Sequence, residues 1–193
     1  LIETSRERGT FDPEYELLDT GIFNHGRYFD VFVEYAKISP EDVLIRVTVH
    51  NRGTDPAICH VIPQLWFRNT WGWTSPRLEE PLITLKARLD HQVELRATHP
   101  ELGNRYLYAA GHPEVMFTNN ETNARRLYDI ENPKPHVKDA FHAHIIDDAS
   151  DVLCPEQRGT KAGLNYVLDI PAGEFRQVEL RLCDAEHGHA FDT

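Results

Sequence analysis

The chain has 193 residues, of which 40 % are hydrophobic, and this is enough material for one domain with a single hydrophobic core. Its 31 acidic and 20 basic residues give a formal net charge of −11, which repels the phosphates of nucleic acids and of anionic membranes. No apolar run approaches the ~18 residues of a membrane-spanning helix. We therefore expect neither nucleic acid nor a membrane as a partner.

The first strands are predicted by the alternation of apolar and polar side chains. Residues 29–35 alternate, and the turn-forming segment 39–42 separates them from a second alternating run at 43–49. A third run at 59–67 is interrupted by Pro63, which has no amide hydrogen for a sheet ladder and so predicts a bulge or an edge. We expect these three strands to form an antiparallel meander.

The second half of the chain predicts more strands. Three shorter candidates lie at 93–97, 106–108 and 115–117. Residues 164–170 and 178–182 alternate on either side of Pro171-Ala172-Gly173-Glu174, a pattern that predicts a hairpin.

Helical patterns are short, at 13–19, 121–128 and 137–145. The Asn and Thr residues at 119–123 favour capping of the second helix, and Lys138, Asp139 and His142 are typical of an exposed helix face. Because half-buried strands outnumber helices, we predict an all-β fold with a few short helices. The expected architecture is an antiparallel β-sandwich that forms one domain over residues 1–193.

An aromatic cluster at residues 65–73 is the best functional clue. It holds all three tryptophans, Trp66, Trp71 and Trp73, together with Arg68 and Asn69. Indole faces can lie against the C–H faces of a sugar, while a guanidinium and an amide form directional hydrogen bonds with hydroxyls. The same rings could instead fill the core, so the sequence leaves both packing and ligand or domain contact open.

Metal and catalytic residues are weakly indicated. His142 with His144, and His187 with His189, have the spacing of two ligands, but a zinc site needs three or four, so we expect no metal and no cofactor. Glycoside hydrolysis needs two carboxylates ~5 to 9.5 Å apart, and no sequence spacing selects such a pair. The acids in turns or near aromatics are Glu79, Glu80, Glu121, Asp139, Asp147 and Asp148. No catalytic residue is assigned.

Cysteine usage and the start of the chain predict a cytoplasmic location. Cys59, Cys154 and Cys183 are odd in number and widely spaced, which favours reduced thiols over a disulfide framework and leaves room for one bridge. The chain begins at Leu1 without a basic segment followed by an apolar one, so no secretion signal is predicted in it. The absent initiator methionine indicates a piece of a longer polypeptide.

Several segments resemble the N-terminal region of bacterial proteins similar to glycoside hydrolase family 63. The stronger matches lie at 14–23, 27–37 and 63–73, and weaker ones at 120–123 and 137–142 follow in the expected order. The likeness therefore extends over most of the chain. Members of this family are α-glucosidases, with relatives that hydrolyse mannosylglycerate or glucosylglycerate, and they invert the anomeric centre.

The resemblance implies a non-catalytic part of such an enzyme. Family members carry a large β-sandwich, a supersandwich, ahead of an (α/α)6 barrel, and the barrel supplies the acid and the base. It implies that Trp66, Arg68, Asn69, Trp71 and Trp73 lie at the junction with the barrel or near its carbohydrate pocket. A free-standing carbohydrate-binding module and a protein interaction domain are the alternatives.

The family sandwich begins before Leu1, so the resemblance also implies that this chain is a fragment of a larger sandwich. An incomplete sheet leaves an unpaired edge, which is a template for pairing with another strand. We therefore expect a homo-oligomer formed through exposed sheet edges.

Overall fold

The structure is a computed structural model that describes residues 1–73, 78–188 and 190–191. The described elements of the first half are α1 (Ile2–Glu7), a 3-10 helix (Leu18–Thr20), β1 (Phe29–Ser39), β2 (Asp42–Asn51), β3 (Ala57–Val61), β4 (Gln64–Trp66), β5 (Leu82–Leu89) and β6 (Gln92–His99). Those of the second half are β7 (Gly103–Ala110), β8 (Glu114–Thr118), α2 (Ala124–Tyr128), α3 (Ala140–Ile146), β9 (Arg158–Gly159), β10 (Lys161–Ile170) and β11 (Phe175–Cys183).

Two antiparallel sheets of unequal width form the body. The larger has seven strands in the order β1-β2-β11-β7-β6-β5-β9. The smaller has four strands with β10 at its centre. Because Lys161 of β10 pairs with both Trp66 and Thr118, β4 and β8 lie on opposite sides of β10. The predicted all-β, sandwich-like fold is confirmed.

The core lies between these sheets because alternate side chains of each strand point inward. From the larger sheet it receives Val49, Leu95 and Leu180, and from the smaller sheet Phe117 and Leu164, all at most 2 % exposed. Burial of apolar surface at roughly 25 cal/mol per Å² makes this layer the main source of stability.

Of the bulge or edge predicted at Pro63, the structure shows an edge without a register shift. β3 pairs with β10 from Tyr166↔Val61 onward, and β4 pairs with the same strand from Gly163↔Gln64 onward, so both keep one register along one side of β10. Pro63 lies between them and accepts a hydrogen bond from the amide of Leu164 at 3.0 Å. The ring thus breaks the strand without moving it to another partner.

The predicted meander is wrong at its third strand. β1 and β2 pair as expected, but β3 joins the smaller sheet instead of pairing with β2. The physical reason is a turn built on Asn51, whose side chain accepts from the amide of Gly53 at 2.9 Å and donates to the carbonyl of Asp55 at 2.8 Å. This turn directs the chain away from the larger sheet.

The predicted hairpin over 164–182 is also wrong. β10 belongs to the smaller sheet, whereas β11 lies between β2 and β7 in the larger one. Asn51, at 3 % exposed, again supplies the reason. Its side-chain amide donates to the carbonyl of Ile170 at 2.9 Å, and its backbone carbonyl accepts from the amide of Gly173 at 3.1 Å. These bonds hold the segment that connects β10 to β11 against the end of β2, so β11 continues beside β2.

The helices are shorter than predicted. The pattern at 13–19 gives only the 3-10 helix Leu18–Thr20, while α1 and the strand β5 were not predicted. Capping by Asn123 is confirmed, because its side chain accepts from the backbone amide of Arg126 at 3.1 Å. No helix in the described parts of the chain is long and apolar enough to cross a lipid bilayer.

The smaller sheet does not reach the edge strand β1. Val31 and Val33 of β1 pair with Val49 and Val47 of β2, which are buried in the core. The two β1 valines point to the same inner face, yet they are 56 % and 48 % exposed, and Tyr35 is 70 % exposed. The inner face of β1 is therefore an uncovered apolar strip.

Candidate functional site

The three tryptophans have different environments. Trp71 is 2 % exposed, whereas Trp66 is 54 % and Trp73 is 66 % exposed. The two interpretations left open by the sequence therefore apply to different residues. Trp71 is a packing residue, and the indoles of Trp66 and Trp73 are available for contact.

Trp71 joins two loops beneath the exposed indoles. Its indole N–H donates to a carboxylate oxygen of Glu121 at 3.3 Å, and Glu121 is only 9 % exposed. Its backbone carbonyl accepts from the amide of Leu78 at 3.2 Å. A buried indole needs such a partner for its polar end. The bond fixes the segment after β4 to the segment after β8.

The exposed indoles lie in an open groove of about 720 Å³, which we call the tryptophan groove. Four parts of the chain form it: β4 with the segment that follows, the loop after β8, the turn before α3 and the first residue of β10. Its lining residues are Gln64, Trp66, Arg68, Asn69, Gly72, Trp73, Asn120, Glu121, Thr122, Lys138 and Lys161. All the sequence-predicted site residues except Trp71 thus line one groove, and Trp71 supports it.

Amide side chains hold the walls of the groove together. Asn69 donates from its side chain to the carbonyl of Asn120 at 3.1 Å, and Asn120 donates to the carbonyl of Phe67 at 2.8 Å. The backbone amide of Asn120 donates to the hydroxyl of Thr160 at 2.7 Å. Asn69 therefore has a structural role in addition to any contact with a ligand.

Arg68 lies against one of the exposed indoles. Its guanidinium carbon is 4.9 Å from the ring centroid of Trp73, a cation–π arrangement. This contact restrains an otherwise exposed ring, and it keeps a planar, multi-donor cation at the groove.

Two lysines that the sequence reasoning missed as site residues complete the groove. The ammonium of Lys161 donates to the carbonyl of Lys138 at 2.8 Å and lies 4.8 Å from the ring centroid of Phe141. The ammonium of Lys138 donates to the hydroxyl of Thr122 at 3.2 Å. Burial, and then the charge of Lys138, lower the pKa of Lys161, while Asp139 opposes the shift. Two cations therefore stand side by side on one wall.

Of the candidate carboxylates, the structure brings only Glu121 to the groove. Asp139 instead binds Arg126 at 3.1 Å, and Glu80 pairs with Lys134. Within the described lining residues Glu121 has no second carboxylate beside it that could complete an acid and base pair.

His142 and His144 do not converge on one site. His144 bonds to Glu114 at 2.8 Å, whereas His142, two residues away on α3, is exposed. His189, the second member of the other pair, lies outside the described residues. Over residues 1–73, 78–188 and 190–191, no cluster of three or more His, Cys, Asp or Glu side chains could hold a metal ion.

Fold and groove together define an antiparallel β-sandwich with an open aromatic and cationic groove at the end of its smaller sheet. No family model matches the sequence. The chain is 31 % identical over 214 aligned residues to "Uncharacterized protein YMR196W" of Saccharomyces cerevisiae, and the match covers 94 % of this chain and 20 % of the yeast protein. The chain thus spans about a fifth of the length of this curated relative.

Proposed function

We propose that the chain is a non-catalytic sandwich domain of a glycoside hydrolase similar to family 63, whose catalytic carboxylates belong to a separate (α/α)6 barrel of the parent polypeptide. The observation that carries the proposal is the exposure of the Trp66 and Trp73 indoles in one groove with Arg68 and Asn69. Apolar ring faces beside directional donors are the groups that bind sugars. In the parent, the groove borders the pocket of the barrel and contacts the carbohydrate there.

The different burial of the three tryptophans supports this role. Trp71 is buried and bonded to Glu121, so it fixes the loops that carry the exposed rings. A site held by buried supporting residues keeps its geometry better than one on a free loop. In this proposal the groove contacts the carbohydrate, and the barrel supplies the catalytic acid and base.

The test compares the parent protein with the 193-residue chain. We expect the parent to hydrolyse an α-glucoside, glucosylglycerate or mannosylglycerate with inversion, measured by NMR of the first-formed anomer, and the chain alone to give no turnover. In the parent, Trp66→Ala and Trp73→Ala should each raise KM by about tenfold, the loss of roughly 1.4 kcal/mol of binding. Tyr128→Ala is the matched control, because Tyr128 is 67 % exposed and outside the groove.

Two results would contradict the proposal. Turnover by the isolated chain would place the catalytic groups within it. An unchanged KM in both tryptophan variants of an active parent would remove the groove from carbohydrate binding.

A free-standing carbohydrate-binding module is the second candidate, because the groove is formed by this chain alone. Such a module binds oligosaccharides without the barrel, and titration of maltooligosaccharides against tryptophan fluorescence separates the two candidates. In an interaction domain, by contrast, Trp66 and Trp73 would anchor a protein partner. Their replacement would then abolish assembly and leave sugar binding unchanged.

We also propose a cytoplasmic location for the parent. The support is chemical: Cys59, Cys154 and Cys183 are free thiols. Free thiols are typical of the reducing cytosol, whereas secreted proteins commonly pair their cysteines as disulfides.

A further inference from the structure

The charge of the tryptophan groove is opposite to that of the chain. The chain has a formal net charge of −11, yet the described lining residues of the groove include three cations, Arg68, Lys138 and Lys161, and one carboxylate, that of Glu121. Several other cations of the chain meet acids, as in the Arg181–Asp42 pair at 2.6 Å. In the part of the chain that the structure describes, none of the three groove cations forms an ion pair with a carboxylate.

The two lysines are positioned and still have unused donors. An ammonium has three N–H donors. Lys161 uses one on the carbonyl of Lys138, and Lys138 uses one on the hydroxyl of Thr122. The ring of Phe141 lies under Lys161 and packs so closely on Gly163 that an added Cβ there would lie 2.7 Å from it. Both ammonium groups are thus held in place with donors left for a ligand.

Sheet register places one of these lysines beside an exposed indole. Lys161 of β10 is the cross-strand partner of Trp66 of β4. Directly opposed residues point to the same face, with Cβ atoms about 4.5–5.5 Å apart. A ring that stacks on Trp66 therefore brings its substituents within reach of the Lys161 ammonium.

We propose that the groove binds a saccharide through an anionic group, a carboxylate or a phosphate, which Lys138 and Lys161 contact while the sugar ring lies on Trp66. The contact between the sugar ring and Trp66 rests on the proposed function, whereas the anionic group of the ligand is inferred from the two lysines. Two neighbouring cations repel one another, and an anion between them converts that repulsion into attraction. A neutral hydroxyl does not offset the repulsion in this way.

Titration of the 193-residue chain, followed by tryptophan fluorescence, tests the inference with four probes: glucose, glucuronate, glucose 6-phosphate and inorganic phosphate. We expect glucuronate or glucose 6-phosphate to bind at least about tenfold more tightly than glucose, and the difference to shrink as salt is added. Whichever of the two binds more tightly identifies the carboxylate or the phosphate as the preferred group. Equal tightness of both supports the shared anionic chemistry.

Variants assign the effect to the lysines. Lys138→Gln and Lys161→Gln should each remove most of the preference over glucose, and Lys161→Arg should retain much of it. Lys37→Gln on β1 is the matched control, because it removes the same charge away from the groove and should change nothing. Circular dichroism of each variant shows that the chain is folded.

The contrary results are distinct. If neither glucuronate nor glucose 6-phosphate binds more tightly than glucose, or if no probe binds to the folded chain, the inference is overturned. Inorganic phosphate that binds as tightly as glucose 6-phosphate overturns the role of the sugar ring. Failure of the proposed function is read separately, from the hydrolysis assay on the parent protein.

Discussion

Three tryptophans within eight residues have separate physical roles, and the difference lies in what each indole touches. Trp71 fills a buried position and donates to Glu121, so its loss leaves a cavity and removes a buried hydrogen bond. Trp73 is 66 % exposed and contacts Arg68. Its removal costs only a partly exposed cation–π contact.

We therefore expect the two substitutions to differ in their effect on stability. Trp71→Ala should lower the free energy of unfolding by about 3–5 kcal/mol. Trp73→Ala should lower it by less than about 1 kcal/mol. Urea unfolding followed by far-UV circular dichroism measures both. Similar losses of unfolding free energy in the two variants would mean that the two indoles are equally buried. The Trp73 indole would then not be available for contact in the groove.

The sequence predicted part of this site. Alternation along β4 places Gln64 and Trp66 outward and Leu65 inward, as the pattern requires. Trp71 and Trp73 lie beyond the strand, where no period assigns a face, so their burial could not be derived. Lys138 and Lys161 are distant in sequence, and only the register between β4 and β10 brings Lys161 beside Trp66.

At the scale of elements, α3 is attached to β8 by a histidine whose two ring nitrogens both face oxygen atoms. Nε2 of His144 lies 2.8 Å from a Glu114 carboxylate oxygen, and Nδ1 lies 3.2 Å from the carbonyl of Ala149. Only the doubly protonated ring can donate to both. Burial lowers the pKa of His144, but the bonds to Glu114 and Ala149 outweigh it and raise the pKa above 6.5.

The pKa of the carboxyl group in this pair, that of Glu114, shifts in the opposite direction to that of His144. Burial raises the pKa of Glu114, but hydrogen bonds from Asn165 and His144 outweigh it and hold the pKa below 4.5. The stabilisation from Glu114 is present above its unfolded pKa and is lost as pH falls through the folded value. That from His144 is present below its unfolded pKa of 6.5 and is lost as pH rises through the raised folded value.

We therefore expect the pair to stabilise the fold most between about pH 4.5 and about pH 6.5. Glu114→Gln should remove this contribution and lower the pKa of His144, measured by NMR titration and by urea unfolding across the pH range. His142→Gln is the control, since His142 is exposed on the same helix. A His144 titration that is the same in the Glu114→Gln variant would disprove the coupling.

Alternation predicted the strands better than it predicted their partners. The period of two assigns a face to each side chain, and the runs that became β1, β2, β6, β10 and β11 were recognised in this way. It does not say which sheet a strand joins. That choice depends on Asn51, whose bonds to both flanking turns send β3 to the smaller sheet and return β11 to the larger one.

At the scale of the whole molecule, the larger sheet extends beyond the smaller one and leaves β1 as an apolar edge. The inner-face residues Val31, Val33 and Tyr35 continue the core layer of β2 into solvent. An edge strand with exposed apolar side chains is a template for another strand. We propose that a second copy of this chain pairs with it, β1 against β1 and antiparallel.

Charge selects the register of that pairing. In a two-fold symmetric dimer, the inner faces of the two β1 strands are continuous only if odd-numbered residues lie opposite odd-numbered ones and even opposite even. If the two-fold axis passes through Glu34, the two copies of Glu34 lie face to face. If it passes through Phe32, Asp30 lies opposite Glu34. Both registers therefore oppose like charges. A centre at Val33 places Val33 opposite itself and Val31 opposite Tyr35, and it joins the two apolar strips.

Self-association should therefore depend on Val33. We expect the average mass from light scattering to rise with concentration toward that of a dimer. Val33→Lys, which places two ammonium groups at the centre of the pairing, should weaken the dimer by at least about tenfold. Val167→Lys is the control, because Val167 is 57 % exposed on β10 of the other sheet. A chain that stays monomeric at every concentration, or a Val33→Lys variant that dimerises like the control, would show that β1 does not pair with its own copy.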